Sequence, residues 1–191
     1  MGRPVHLLFR HMELHRIRTP RLDLIPATPE ILASDLLDRG RLARLLDARV
    51  LAAWPPEMMS SDVLMLFIDL ATGNADQNFC TWYWVLDDPA GSGRILIGNG
   101  GILSSQGDSG SVVIGYSVLD GFRNRGYATE AIQHLIPVIF ANPGIRRIRA
   151  TTNPDLPASI RVLEKCGFVP CEPPAGGHGA EEGSLGFVLE R

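Results

Sequence analysis

GYSVLDGFRNRGYATEA, residues 115–131, decides how this chain is read. Its first residues close a run of strand character, SVVIGYSVL (111–119). A charged turn, Asp120 to Arg125, follows; the chain then passes Gly126 and becomes a helix of small and apolar residues. A helix start presents several unpaired N–H groups and the positive end of the macrodipole. Glycine there lets the backbone approach a ligand closely, and Arg123 and Arg125 add full positive charge. The combination suits an anion, phosphate above all. For the turn taken alone, a well-capped helix with surface arginines is the competing reading.

Working outward, the helix is expected over 126–141, with Ala128, Ala131, Ile132, Leu135 and Ile139 facing the core. Pro137 should kink it or end it early. Arg147 to Thr152 reads as a strand, and Pro157 to Cys166 as a helix closed by Gly167 in the left-handed conformation. Phe168 to Cys171 and SLGFVLE (184–190) are the last strands, joined by a Pro/Gly-rich loop.

Upstream, TWYWVLDD (81–88), RILIGNGGIL (94–103) and 111–119 form three β-rich runs whose loops are too short for helical crossovers, so an antiparallel meander is expected. Ahead of them TPRLDLIPAT (19–28) alternates Leu22, Leu24 and Pro26 against Arg21, Asp23 and Ile25 as a strand. Thr28 and Pro29 mark a helix start. Two short helices broken near Gly40 should follow. A further helix opens at Ser61 with Val63, Leu66, Phe67 and Leu70 on one apolar face. The layout is mixed α/β around one central sheet. Residues 1–16, rich in Arg and His, look like an extension ahead of a domain at 17–191. His11 and His15 are spaced like metal ligands on a helix face, but a solvated terminal turn is the preferred reading.

The bulk properties agree. The chain has 191 residues, 45% apolar and 20% charged, enough for a sizeable core in one domain. A formal charge of −3 argues against a general nucleic-acid binder. Three cysteines without framework spacing imply reduced thiols, as in a cytoplasmic protein. No apolar run is long enough to span a bilayer. Nothing here chooses between a monomer and a homodimer.

The common phosphate motifs are absent. A P-loop needs a lysine after its last glycine, and none follows Gly126. Gly98-Asn99-Gly100-Gly101 lies inside a strand pattern with no helix after it. Arg123-Asn124-Arg125-Gly126-Tyr127-Ala128 instead resembles the Arg/Gln-x-x-Gly-x-Gly/Ala pyrophosphate loop of the GCN5-related N-acetyltransferase (GNAT) family. ATTNPDLPASIRVLEKCGF (150–168) resembles the late helix of its RimJ/RimL-like subgroup, which modifies ribosomal-protein N-termini. TPRLDLIPAT and IGYSV also look like this subgroup, so the resemblance runs over roughly residues 17–170.

The resemblance implies a GNAT-type fold: a mixed, mostly antiparallel central sheet flanked by helices, with a splayed strand pair holding the cofactor. It implies acetyl-coenzyme A as cofactor and an amine acceptor, either a protein N-terminus or a small amine such as an aminoglycoside-like compound. Backbone groups near Tyr116, Val118 and Leu119 would hold the pantetheine arm. Arg123, Asn124, Arg125, Gly126, Tyr127, Ala128 and Thr129 would hold the pyrophosphate. Asn153 and Ser159 would serve the cofactor side, with Ser159 the candidate proton donor. Apart from the resemblance, Trp54, Trp82 and Trp84 are candidates to line an acceptor pocket, with plain core the preferred reading for any one of them.

Three positions depart from the pattern. Leu156 stands where the family has asparagine, Leu163 where many members have a tyrosine acid, and Val113 where the subgroup often has glutamate. No general base can be named. A missing carboxylate favours an α-amine, whose pKa of ~8 leaves part of it free at neutral pH. A non-catalytic acyl-coenzyme A binding module, or an interaction protein keeping the fold, are the rival readings.

Overall fold

The computed structural model describes residues 15–57, 59–73, 79–88, 91, 93–105, 108–173 and 183–191. His6 and His11, most of the expected N-terminal extension, and the centre of the Pro/Gly-rich loop lie outside the described residues. His15 and Arg16 sit against the domain: the His15 carbonyl accepts from Trp82 Nε1, and Arg16 bonds Asp23.

Among the described residues eight strands form one sheet in the order β1-β2-β3-β4-β5-β6-β8-β7. They are β1 (Ile17–Arg18), β2 (Leu22–Pro26), β3 (Phe79–Asp88), β4 (Gly93–Ser104), β5 (Ser111–Val118), β6 (Arg147–Thr152), β7 (Val169–Cys171) and β8 (Leu185–Glu190). Every pairing is antiparallel except β5 with β6. The meander of β3, β4 and β5 is as expected, since hairpin-length loops allow nothing else.

Helices cover both faces. On one side α4 (Tyr127–Phe140) and α5 (Pro157–Lys165) pack on Leu22, Leu24, Trp82, Trp84, Ile102, Ile114 and Ile148. On the other, α1 (Pro29–Leu37), α2 (Arg39–Leu46) and α3 (Ser61–Ala71) pack on Tyr83, Val85, Leu96 and Leu119. Alternation along β3 therefore sends Trp82 and Trp84 to one core and Tyr83 to the other.

Local details correct several expectations. Thr28 does cap α1, accepting from the Ile31 N–H at 3.2 Å. The break expected near Gly40 falls at Asp38, whose carboxylate caps the Arg41 N–H at 2.9 Å. In α3 the buried residues are Leu64 and Leu70, whereas Leu66 is exposed. Helix α4 runs through Pro137 to Phe140. Proline removes one N–H, but Pro137 and Gln133 both lie on the exposed face of the helix, where the lost bond costs least.

Candidate active site: a split between strands beside a glycine-entered helix

The register of β5 with β6 is short. It covers Ser111↔Arg147, Val112↔Ile148 and Val113↔Arg149, and then stops. Residues 114–118 stay paired to β4 while β6 turns away to β8. The sheet is thus open on the β6 side of β5.

Which backbone groups face that opening follows from the ladder. Leu119 N–H donates to Ile97 O at 2.8 Å, towards β4. The carbonyls of Gly115 and Ser117 also lie against Gly100 and Gly98 of β4. Backbone direction alternates along a strand, so the N–H and C=O groups of Tyr116 and Val118 turn into the opening. The Val118 carbonyl accepts from Arg123 Nε at 3.0 Å. Leu119 does not share this position: its N–H is taken by Ile97, its C=O by the Phe122 N–H, and its side chain is buried.

The turn after β5 is built from its own charges. A single 3-10 turn, Asp120–Phe122, leads to Arg123, which pairs with Asp120 at 2.9 Å. Asn124 and Gly126 are both left-handed, at φ 60° and 80°. Glycine adopts this conformation without the Cβ clash that strains other residues. Gly126 is the N-cap of α4 and no side chain caps that helix, so the N–H groups of its first turn keep their donor capacity. Tyr127, Ala128 and Thr129 form that turn. Arg125 is exposed, its guanidinium 5.8 Å from the Phe122 ring centre.

Two groups at the site were not singled out by sequence. Arg21, in the β1–β2 connection, donates Nη1 to the Arg125 carbonyl at 2.9 Å and lies 4.5 Å from the Tyr127 ring centre. Glu130, in the first turn of α4, accepts from Thr19 Oγ1 (2.6 Å), Arg21 N (2.8 Å) and Arg21 Nε (2.6 Å). Burial alone would raise the Glu130 carboxyl; the bonds from Thr19 and Arg21 outweigh it and hold it below its ordinary value. Both residues lie in quoted motifs, but a contact spanning 109 positions has no local signature.

Across the opening, Ser159 of α5 meets the Tyr116 hydroxyl, Oγ to Oη at 3.1 Å. Asn153 lies in the turn entering α5, its Oδ1 accepting from the Asp155 N–H at 3.1 Å. Leu156 is half exposed at the N-cap of α5, and Leu163 is buried in the core.

The three tryptophans are corrected. Trp54, Trp82 and Trp84 are 1%, 0% and 0% exposed, so they offer an acceptor no surface. Trp54 instead donates Nε1 to the buried Asp35 carboxylate at 2.7 Å, which also accepts from Tyr83 Oη at 2.6 Å. Trp84 crowds two glycines of β4. A Cβ at Gly100 would lie 2.5 Å from Trp84 Cζ2, and one at Gly98 3.2 Å from Cε3.

A mostly antiparallel sheet, opened beside its one parallel pairing and flanked by an uncapped, glycine-entered helix, is the class of fold that acetyltransferases use. A family model described as acetyltransferase (GNAT) domain matches residues 21–169, and the chain belongs to that family. It is an acyl-coenzyme A-dependent acetyltransferase domain, as expected from the turn and the late helix. An uncharacterized N-acetyltransferase of Bacillus subtilis strain 168, YjdG, is 25% identical over 158 residues, covering 83% of this chain and 89% of the relative. An acetyltransferase structure from Agrobacterium tumefaciens C58 superposes with a TM-score of 0.61 at 18% identity, covering 94% and 96% of the two chains. RimJ of Mycobacterium smegmatis, solved with CoA-disulfide, gives 0.58 at 22% identity, covering 92% and 86%. These two are likenesses of fold. Among the described residues no helix is long and apolar enough to cross a membrane, and no group of side chains could hold a metal.

Proposed function

We propose that this chain moves acetyl from acetyl-coenzyme A to a primary amine by direct attack in a ternary complex. The observation that carries the reading is the β5–β6 opening, lined by backbone groups of Tyr116 and Val118 and leading to the bare N-terminus of α4. The mycobacterial fold relative was solved with a coenzyme A derivative, and the donors here fit such a group. Acetyl-coenzyme A, when bound, supplies the acetyl group as a thioester.

The chain's own residues supply the rest. Tyr116 and Val118 hold the pantetheine arm through their backbone. The N–H groups of Arg125, Gly126, Tyr127, Ala128 and Thr129 hold the pyrophosphate, with Arg125 adding charge. Arg123 and Asn124 shape the turn, and Asn153 borders the cofactor side. The Tyr116 N–H polarises the acyl carbonyl in the manner of an oxyanion hole. Holding the amine in register supplies much of the acceleration. As the C–N bond forms and the C–S bond breaks, Ser159 gives its proton to the leaving sulfur and recovers one from the attacking nitrogen. With Val113 where a carboxylate base would stand, a peptide α-amine or a similarly weak base is the favoured acceptor.

Thermal unfolding with and without acetyl-coenzyme A tests this, on wild type and Arg125→Glu. Ligand at ~100 times its Kd stabilises by ~2.7 kcal/mol, roughly 5–10 °C for this size. A shift in wild type that the variant lacks supports the pyrophosphate site; no shift in either removes the reading. The buried Leu163 favours one rival, a binding module without catalysis. That rival shows the shift but acetylates no amine.

A further inference from the structure

Arg21 lies 104 positions from Arg125 in sequence, yet it grips the turn that enters α4. We propose that Arg21 is a positioning residue for the cofactor loop: it fixes the Arg125–Gly126 peptide so that the Gly126 N–H faces the bound pyrophosphate. The inference rests on the cofactor reading given above.

The argument starts from the peptide itself. In a trans peptide the carbonyl and the following N–H point in opposite directions. Arg21 Nη1 holds the Arg125 oxygen at 2.9 Å. The Gly126 N–H is thereby turned to the side away from Arg21. Something must do this, because glycine at φ 80° has little steric preference of its own and the peptide before it is free to turn over. Among the described residues no side chain caps α4, so no hydroxyl or carboxylate there supplies the constraint from within the helix start.

Arg21 is itself held in one pose. Its Nε and its backbone N–H both reach Glu130, at 2.6 and 2.8 Å, and Thr19 Oγ1 donates to the same carboxylate at 2.6 Å. Its guanidinium lies over Tyr127, with Cζ 4.5 Å from the ring centre. Glu130 and Tyr127 belong to the first turn of α4, so the clamp references the loop to the helix whose dipole it uses. One planar fork thus serves a carboxylate, a carbonyl and a ring face together. Lysine, a point charge on a flexible stem, cannot reproduce that.

The test measures binding of two ligands by wild type, Arg21→Ala and Arg21→Lys. Coenzyme A carries the pyrophosphate; S-acetylpantetheine keeps the arm and lacks it. Both variants should bind coenzyme A about ten- to hundredfold more weakly, the scale of a lost bond to a charged group. Their affinity for S-acetylpantetheine should match wild type. A purely structural role would weaken both ligands together, and that result overturns the inference. So does unchanged coenzyme A affinity, or full rescue by lysine. If wild type itself binds neither ligand, the cofactor reading falls and the inference with it. Wild-type binding that the variants retain removes the inference alone.

Discussion

Tyr116 of β5 and Ser159 of α5 are joined across the opening of the sheet, hydroxyl to hydroxyl at 3.1 Å, and the Tyr116 hydroxyl also reaches the Ser159 carbonyl at 3.2 Å. The contact bridges the two elements whose separation makes the site. Burial pushes the Tyr116 phenol up to about 12, with the Ser159 bond pulling the other way and Cys166 adding to the rise. It therefore stays protonated over the working range of any enzyme at neutral pH.

Tyr116→Phe should cost about 1 kcal/mol, or about 2–4 °C in Tm. The sign with pH is fixed by the direction of the shift. A folded value raised above the unfolded ~10 gives stability that is complete below pH ~10 and is lost as pH rises through about 12. Denaturant midpoints at pH 9 and 11.5 should thus show wild type losing its advantage over the variant. A constant difference would mean that the phenol is not held this way.

Ser159→Ala should leave coenzyme A affinity in place and lower kcat by about a hundredfold, the low end for a general acid. Rapid-mixing turnover against equilibrium binding separates the two. Loss of binding with kcat intact would make Ser159 a cofactor contact only.

At Glu130 the carboxyl is held below its ordinary value, where burial opposes and the Thr19 and Arg21 bonds prevail. A lowered carboxylate contributes stability that is present above the unfolded value of ~4.3 and lost as pH falls through the folded value. Glu130→Gln should cost about 2 kcal/mol at pH 7, because charge-assisted bonds are weakened. The gap between the two proteins should narrow on acidification below pH ~4. Chemical denaturation at pH 7 and pH 3.5 reads it, and a gap unchanged between the two would assign the cost to packing.

These residues show where sequence reading succeeds and where it stops. The meander, the β5-to-α4 turn and the cap at Thr28 are written in local chemistry: short loops, a glycine after two arginines, a hydroxyl before proline. The break between α1 and α2 is expected near Gly40, and the Asp38 cap sets it two residues earlier. Leu119 lies in the expected cofactor stretch, yet ladder phase turns its N–H to β4. Trp54, Trp82 and Trp84 belong to the core, the reading preferred for any one aromatic; composition alone does not say that both faces of β3 are covered. Arg21 with Glu130 is a tertiary pairing between chain segments, and no spacing rule within either segment announces it.

Two glycines one residue out of register give the sharpest contrast at the site. Gly100 of β4 backs Trp84, and a Cβ there would lie 2.5 Å from the indole; Gly115 of β5 is exposed, and a Cβ there would meet nothing within 4 Å. Gly100→Ala should therefore cost about 1–3 kcal/mol through overpacking. Gly115→Val should cost nothing and can add stability, since valine favours extended backbone and glycine loses the most entropy on folding. Side chains alternate along β5, so position 115 points to the face opposite the Tyr116 ring, beside the backbone groups that hold the acyl arm. If the amine approaches over that face, valine will obstruct it while the cofactor loop, further along the chain, is untouched. The expected result is an unfolding midpoint at or above wild type, unchanged coenzyme A binding, and a raised KM for the amine. Full transfer activity in Gly115→Val would place the acceptor on the other face, under α5.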